Sequence, residues 1–300
     1  MCKVDELFKT VKELGQEFIA ITDHGSTSAL WVAQKASDKY GVKLIHGSEF
    51  YYQRENDDEN GHLVVLAKND KGLENIFKLQ EKAYVENFYR RPRINWEILK
   101  EHKEGLIILS ACLASTFCQY IMQGEIRQAI NWASKFKKEF GDDFYLEIQP
   151  NQIVEQLEVN RKTISIAKQL GINTVATNDV HYILKSDAYP HEVLLALQIN
   201  KKMSDKDRWT FDSDDFWLKT TDEMIDSFNG LDLEDVIVAL KNTKEIADKC
   251  NARIKVDKYL PSYYNIPSNK TERNLLAEKI MKGAREKGLS TDKEYMLDVQ

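Results

Sequence analysis

Asp23 and His24 follow the apolar run FIAIT, Glu49 lies in HGSEF, and His62 opens HLVVLA. Cys112 closes LIILSAC, and Asp179 and His181 stand in TNDVHY. Imidazole, carboxylate and thiolate are the groups that hold zinc, manganese or iron. Taken singly, each residue has a duller use. An Asp-His pair at a strand end usually caps a helix, and a single Glu in a strand is usually a solvated edge residue. A lone Cys packs as a small hydrophobe, and His62 can simply start a strand. Asp179 and His181 form the stronger pair, because alternation along a strand puts both side chains on one face. The joint pattern, ligand types recurring beside apolar runs, makes these residues a candidate metal site. His46, His102 and His191 lack that context and read as structural or surface residues.

The elements that must position these side chains alternate. Residues 4–14 have helical apolar spacing, and FIAIT is a short buried strand. A helix is predicted over 28–40, with Gly41 ending it. VKLIHGSEFYY and HLVVLAKN read as strands, and residues 70–84 as a helix capped by Asn69 or Asp70. GLIILSAC, FYLEIQP and NTVATNDVHY read as further strands, separated by helices over 125–140 and 153–170. A helix over about 186–202 follows. Apolar strands alternating with helices imply βα units on a parallel sheet or barrel, whose active sites form at the carboxyl ends of the strands. After residue 203 the pattern changes. A polar, aromatic stretch leads to a helix over 231–250, a Pro-containing connector, and an amphipathic helix over 271–287. Asp212, Asp214 and Asp215 read as a solvated loop or cap.

Composition narrows the classes. The net charge of −6 argues against a dedicated nucleic-acid coat protein, although a local basic patch is compatible with it. Arg90, Arg91 and Arg93 form such a patch beside Phe88 and Tyr89, a candidate DNA contact or a solvated loop. The four cysteines form no CxxC pair and read as reduced thiols. No apolar run reaches the length of a membrane span, and no targeting segment is recognisable, so a cytoplasmic location and no membrane partner are expected.

The stretches AITDHGS, GSEFYY, HLVVLAKND, YRRPRINWEILKEHKEGLIILSACLAS, FYLEIQ and TNDVHYILKSDAYPHEVLLALQ resemble successive motifs of the PHP (polymerase and histidinol phosphatase) domain of bacterial-type DNA polymerase III alpha subunits. DSDDFWLKTTDEM resembles the segment after the barrel in that family, and LPSYYNIP the passage into the polymerase part. The resemblance implies a distorted (β/α)7 TIM-like barrel over residues 1–203, a post-barrel helical segment over 204–256, and a connector with the start of the polymerase domain over 257–300. It places metal ligation on His24, Glu49, His62, Cys112, Asp179 and His181, with Asp23 orienting an imidazole. The implied cofactors are divalent metals (zinc, manganese or magnesium). The implied activity is phosphoester hydrolysis, as a 3′–5′ exonuclease, within a DNA-directed DNA polymerase. DNA template-primer, deoxynucleoside triphosphates, a sliding clamp and an exonuclease subunit are the implied partners. The family's first strand, with its His-x-His pair, and its polymerase palm have no match in this sequence. A reduced metal set and little activity alone are therefore expected. The rival readings are a free-standing PHP phosphoesterase and an inactive PHP scaffold.

Overall fold

A computed structural model describes residues 2–54, 59–211, 213–256 and 265–289. Its strands are β1 (Phe18–Ile21), β2 (Lys43–Gln53), β3 (Asn60–Ala67), β4 (Arg93–Ile94), β5 (Leu106–Leu109), β6 (Phe144–Ile148) and β7 (Asn173–Ala176). They form one sheet in the order β1-β2-β3-β5-β6-β7, with β4 pairing to β2 off this path. The helices are α1 (Val4–Glu13), α2 (Leu30–Tyr40), α3 (Asp70–Val85), α4 (Trp96–Glu101), α5 (Thr116–Met122) and α6 (Ile126–Phe140). They continue with α7 (Val154–Leu170), α8 (Ala188–Gln198), α9 (Thr221–Ser227), α10 (Leu233–Lys249) and α11 (Glu272–Glu286).

The sheet is mostly parallel, but β3 runs antiparallel to both β2 and β5. This departs from the all-parallel expectation. Only residues 54–59 join β2 to β3. A parallel return needs a crossover of a dozen residues or more, so the short link forces a hairpin.

The strands alternate between two apolar layers. Leu63 and Val65 join Phe50, Tyr52 and Ile108 in the layer shared with the helices. Val64 and Leu66 face the other way, with Ile45, Ile107, Leu109, Tyr145 and Val175. Ile246, Ala247 and Cys250, from α10 and its end, join this inner layer. Each such side chain contributes roughly 1.5–3 kcal/mol on burial. Among the described residues β1 and β7 are not paired with each other. Yet the rings of His24, beyond β1, and His181, beyond β7, lie 6.4 Å apart. The sheet is thus curled, and its two ends meet at one rim, as a distorted TIM-like barrel requires.

Two compact units divide at Ile254. Residues 204–254 lie in the first unit, where α10 packs against β7 and joins the inner layer. In the second unit, α11 is capped by the Thr271 hydroxyl, which accepts from the Asn274 N–H at 3.2 Å. The connector residues 257–264 and Asp212 lie outside the described residues.

Candidate metal centre

Glu49 stands in β2 and is buried to 6 % exposure. Its carboxylate lies 3.3 Å from His24 Nδ1 and 3.3 Å from His62 Nδ1. Ligand atoms of these three residues all fall within 4.8 Å of one another. The Cys112 thiol adds a sulfur 3.3 Å from His62 Nδ1 and 3.7 Å from Glu49 Oε1. The antiparallel β3 explains how His62 arrives. Its amino end lies beside the carboxyl end of β2, where His62 pairs in register with Tyr51. A glycine is needed just after His24. Gly25 has φ +54°, and a Cβ there would meet the Tyr51 ring at 3.1 Å and Pro92 at 3.2 Å.

His181 and Asp179 lie farther round the same rim. They are not on a strand, because β7 ends at Ala176, and Asp179 itself adopts φ 52°. The one-face argument from alternation therefore does not apply. Instead His181 Nδ1 bonds to the Asp179 backbone carbonyl at 2.7 Å. The loop is fixed from the segment after α8: His181 N–H donates to Phe216 O at 3.0 Å, and Asn178 Nδ2 donates to Trp217 O. Lys219, fully buried, donates to Asn178 Oδ1 at 2.8 Å and pairs with Asp215 at 3.2 Å. Asp215 is thus a buried partner of Lys219 and no solvated loop residue. The Asp23 side chain makes no hydrogen bond to an imidazole; its backbone carbonyl accepts from Glu49 N–H at 3.1 Å and Ser48 Oγ at 3.1 Å.

Sequence reasoning missed Glu147. It is buried near the carboxyl end of β6, and burial, with Glu49 nearby, pushes its carboxyl up to about 8. One oxygen accepts from the Ala111 N–H and the other from Thr177 Oγ1 at 2.7 Å. Ala111 has φ 63°, a left-handed turn costly for a residue with a Cβ, and it directly precedes Cys112. Glu147 therefore ties the Cys112 turn to the residues leading into Asp179. A charged residue inside the buried run FYLEI was the available signal.

Burial, with Glu49 and Asp179 close by, pushes the Cys112 thiol well above its ordinary value. Burial and the Glu49 charge raise Asp179 to about 6. Burial also opposes ionisation of Glu49, but the neighbouring His62, His24 and His181 outweigh it and hold the carboxyl below its usual range. Two imidazoles, a carboxylate and a thiol converging in a pocket make a donor set suited to a borderline divalent ion.

The basic patch divides. Arg90 and Arg91 are exposed, but Arg93 is buried at 6 % exposure with its guanidinium 4.9 Å from the Tyr89 ring centroid. Arg93 packs on Tyr89 and presents little surface, unlike its two exposed neighbours. Arg91 lies 5.6 Å from the Tyr51 ring, whose centroid is 6.2 Å from that of His24 and 5.4 Å from that of His62.

A curled α/β sheet with such a rim defines a metal-site barrel class, and the PHP domain model matches residues 1–151. The chain belongs to the PHP domain family. Over most of its length it is similar to DNA polymerase III alpha subunits. That of Aquifex aeolicus (strain VF5) is 38% identical over 316 residues, covering 98% of this chain and 27% of the relative. That of Thermus aquaticus is 38% identical over 291 residues, covering 92% and 24%. The chain thus spans about a quarter of the length of these curated relatives. A Bacteroides vulgatus structure, described as a two-domain protein containing a predicted PHP-like metal-dependent phosphoesterase, aligns with TM-score 0.40 at 12% identity. That alignment covers 60% of this chain and 48% of that one. No helix among the described residues is long and apolar enough to cross a membrane.

Proposed function

We propose that the chain is the PHP part of a replicative DNA-directed DNA polymerase of the polymerase III alpha type, and that its rim binds divalent metal for phosphoester hydrolysis. The observation that carries this is the convergence of His24, Glu49 and His62 within 4.8 Å, in a chain 38% identical to such a subunit. His24, Glu49, His62 and Cys112 would hold the metal, with Asp179 and His181 across the pocket. A bound divalent ion would supply Lewis acidity and a more acidic water. The residues present contribute anionic and imidazole donors, a walled pocket, and exposed Arg90 and Arg91 to draw a phosphate backbone to the rim. Polymerisation on template-primer, and meetings with a sliding clamp and an exonuclease subunit in the cytoplasm, belong to the longer protein under this reading.

The test is metal analysis of the purified chain, followed by assay on 3′-ended single-stranded DNA and on small phosphate monoesters, with zinc, manganese or magnesium added. Stoichiometric metal and release of mononucleotides from DNA support the reading. Selective hydrolysis of the small esters points to a free-standing phosphoesterase. Absence of both metal and hydrolysis points to a scaffold.

A further inference from the structure

His181 stands between the metal-capable rim and a cluster of aromatic rings. On one side it faces the metal-capable rim, with His24 6.4 Å away between ring centroids. On the other it touches Phe211, centroid to centroid 4.9 Å at 65°. Phe211 in turn meets His191 at 5.6 Å and Trp209 at 4.8 Å. Behind them opens a cleft of about 490 Å³, walled by Tyr182, Tyr189, His191, Phe211 and Phe216. Tyr189 is 66% exposed and Trp209 56%, so aromatic faces are presented to solvent and not spent on the core. His191 and Leu195 line both this cleft and the rim pocket.

The polar groups of this cleft select its occupant. Glu192, Ser213 and Asp214 line it, and among the described residues no Lys or Arg does. Glu192 is neutralised by Arg208, so it is the Asp214 carboxylate that repels a phosphate and can accept hydrogen bonds from ring N–H and amino groups. A planar, neutral, N–H-bearing ring therefore fits here, while a phosphate is driven to the rim beyond His181. Aromatic faces stack any base, because every base has a π-face. Arg208 pairs with Glu192 and so anchors the segment carrying Trp209 and Phe211 to α8.

We propose that this cleft is a nucleobase subsite: it takes the base of a nucleotide whose phosphate lies at the His24–Glu49–His62 cluster. The proposal rests on the phosphoester reading above and adds where on this chain the base of the substrate would sit. The base is gripped by stacking, with little discrimination among bases, as suits successive units of a single strand.

The experiment compares two probes on the full chain with manganese present: 2′-deoxyadenosine 5′-monophosphate and 2-deoxyribose 5-phosphate, which lacks the base. Titration calorimetry should show the nucleotide binding roughly ten-fold tighter or more, the usual worth of one stacked base. Tyr189→Ser and Phe211→Ala should each pull that ratio toward one, and Phe211→Trp should keep it. Tyr189 is exposed, so its variant keeps the fold, which circular dichroism checks. Equal affinities for the two probes, no binding of either, or a ratio untouched by the variants would overturn the subsite. Hydrolysis of ester substrates is scored separately. A preserved base preference without hydrolysis sinks the phosphoesterase reading alone, and hydrolysis without base preference sinks this one alone.

Discussion

The rim of the sheet and its opposite end are built on opposed physics. Toward the far end, Ile45 and Ile107 join Ile246, Ala247 and Cys250 in an apolar layer of low cost and high packing value, and the same layer, through Val64, Leu66 and Leu109, lines the base of the rim pocket. At the rim the same strands end in Glu49, Glu147, Asp179, two left-handed turns and clustered imidazoles. Burying carboxylates is expensive unless something compensates. The protein therefore spends stability at one end that it recovers at the other. The concentration of buried acids and strained turns at one rim marks it as the working end.

Several substitutions break or sharpen this contrast. The largest effect belongs to the apolar end. Ile107→Ala should cost about 2–5 kcal/mol in denaturant unfolding while leaving metal affinity of the folded protein intact. A matching loss of metal affinity would show that the two ends are not separable. Next, Glu49→Gln should weaken zinc or manganese binding by about 100-fold or more, and erase the rise in Tm that added metal gives the parent. An undiminished Tm response would remove Glu49 from the site.

Glu147 tests whether the rim depends on support beneath it. Glu147→Leu should weaken metal binding by roughly 10–100-fold, the usual worth of a group that positions ligands. With cobalt as the probe, it should also diminish the thiolate-to-cobalt absorption that reports Cys112. Glu147→Gln, which can still bridge Ala111 and Thr177, should recover most of both. Equal damage from both variants would mean that charge, and not the bridge, is what matters.

His46 is the titratable exception near the apolar end. Burial, reinforced by Arg253 and partly opposed by Asp70, pushes it down to about 4. Its folded-state value lies below the unfolded one, so the unfolded chain takes the proton first. Stability therefore falls as pH drops from about 6.5 toward about 4. At pH 5.5 this amounts to about 1 kcal/mol, and urea midpoints of His46→Leu should lose that part of the slope. The smallest effect is expected at the rim's edge. Arg90→Glu with Arg91→Glu should weaken single-stranded DNA binding and lower its salt slope by about one per lost contact. Arg93 replaced alone should instead cost stability, since its guanidinium packs on Tyr89.

Much of the fold was legible in the chain. Asn69 caps α3, accepting from the Gly72 N–H at 3.0 Å, and Gly41 and Gly171 close α2 and α7 in left-handed turns. These are local effects, set by residues a few positions apart. The short helices α4, α5 and α9 escaped, because two turns carry too little periodicity to stand out. The candidate donors were legible too, since His24, Glu49, His62 and Cys112 each sit beside an apolar run.

What the sequence determined by itself was the inventory: which segments bury, where strands end, and which donors stand at those ends. Tertiary structure alone decided the geometry. Strand direction made His62 a neighbour of Glu49, because reversing β3 swaps its ends. The curl of the sheet brought His181 to His24 from the far end of the chain's barrel. Burial turned Glu147 into a bridge and Arg93 into a support, and packing of the segment around Phe216 fixed the Asp179–His181 loop. Side-chain chemistry is encoded residue by residue, whereas proximity depends on pairings between strands and loops distant in sequence.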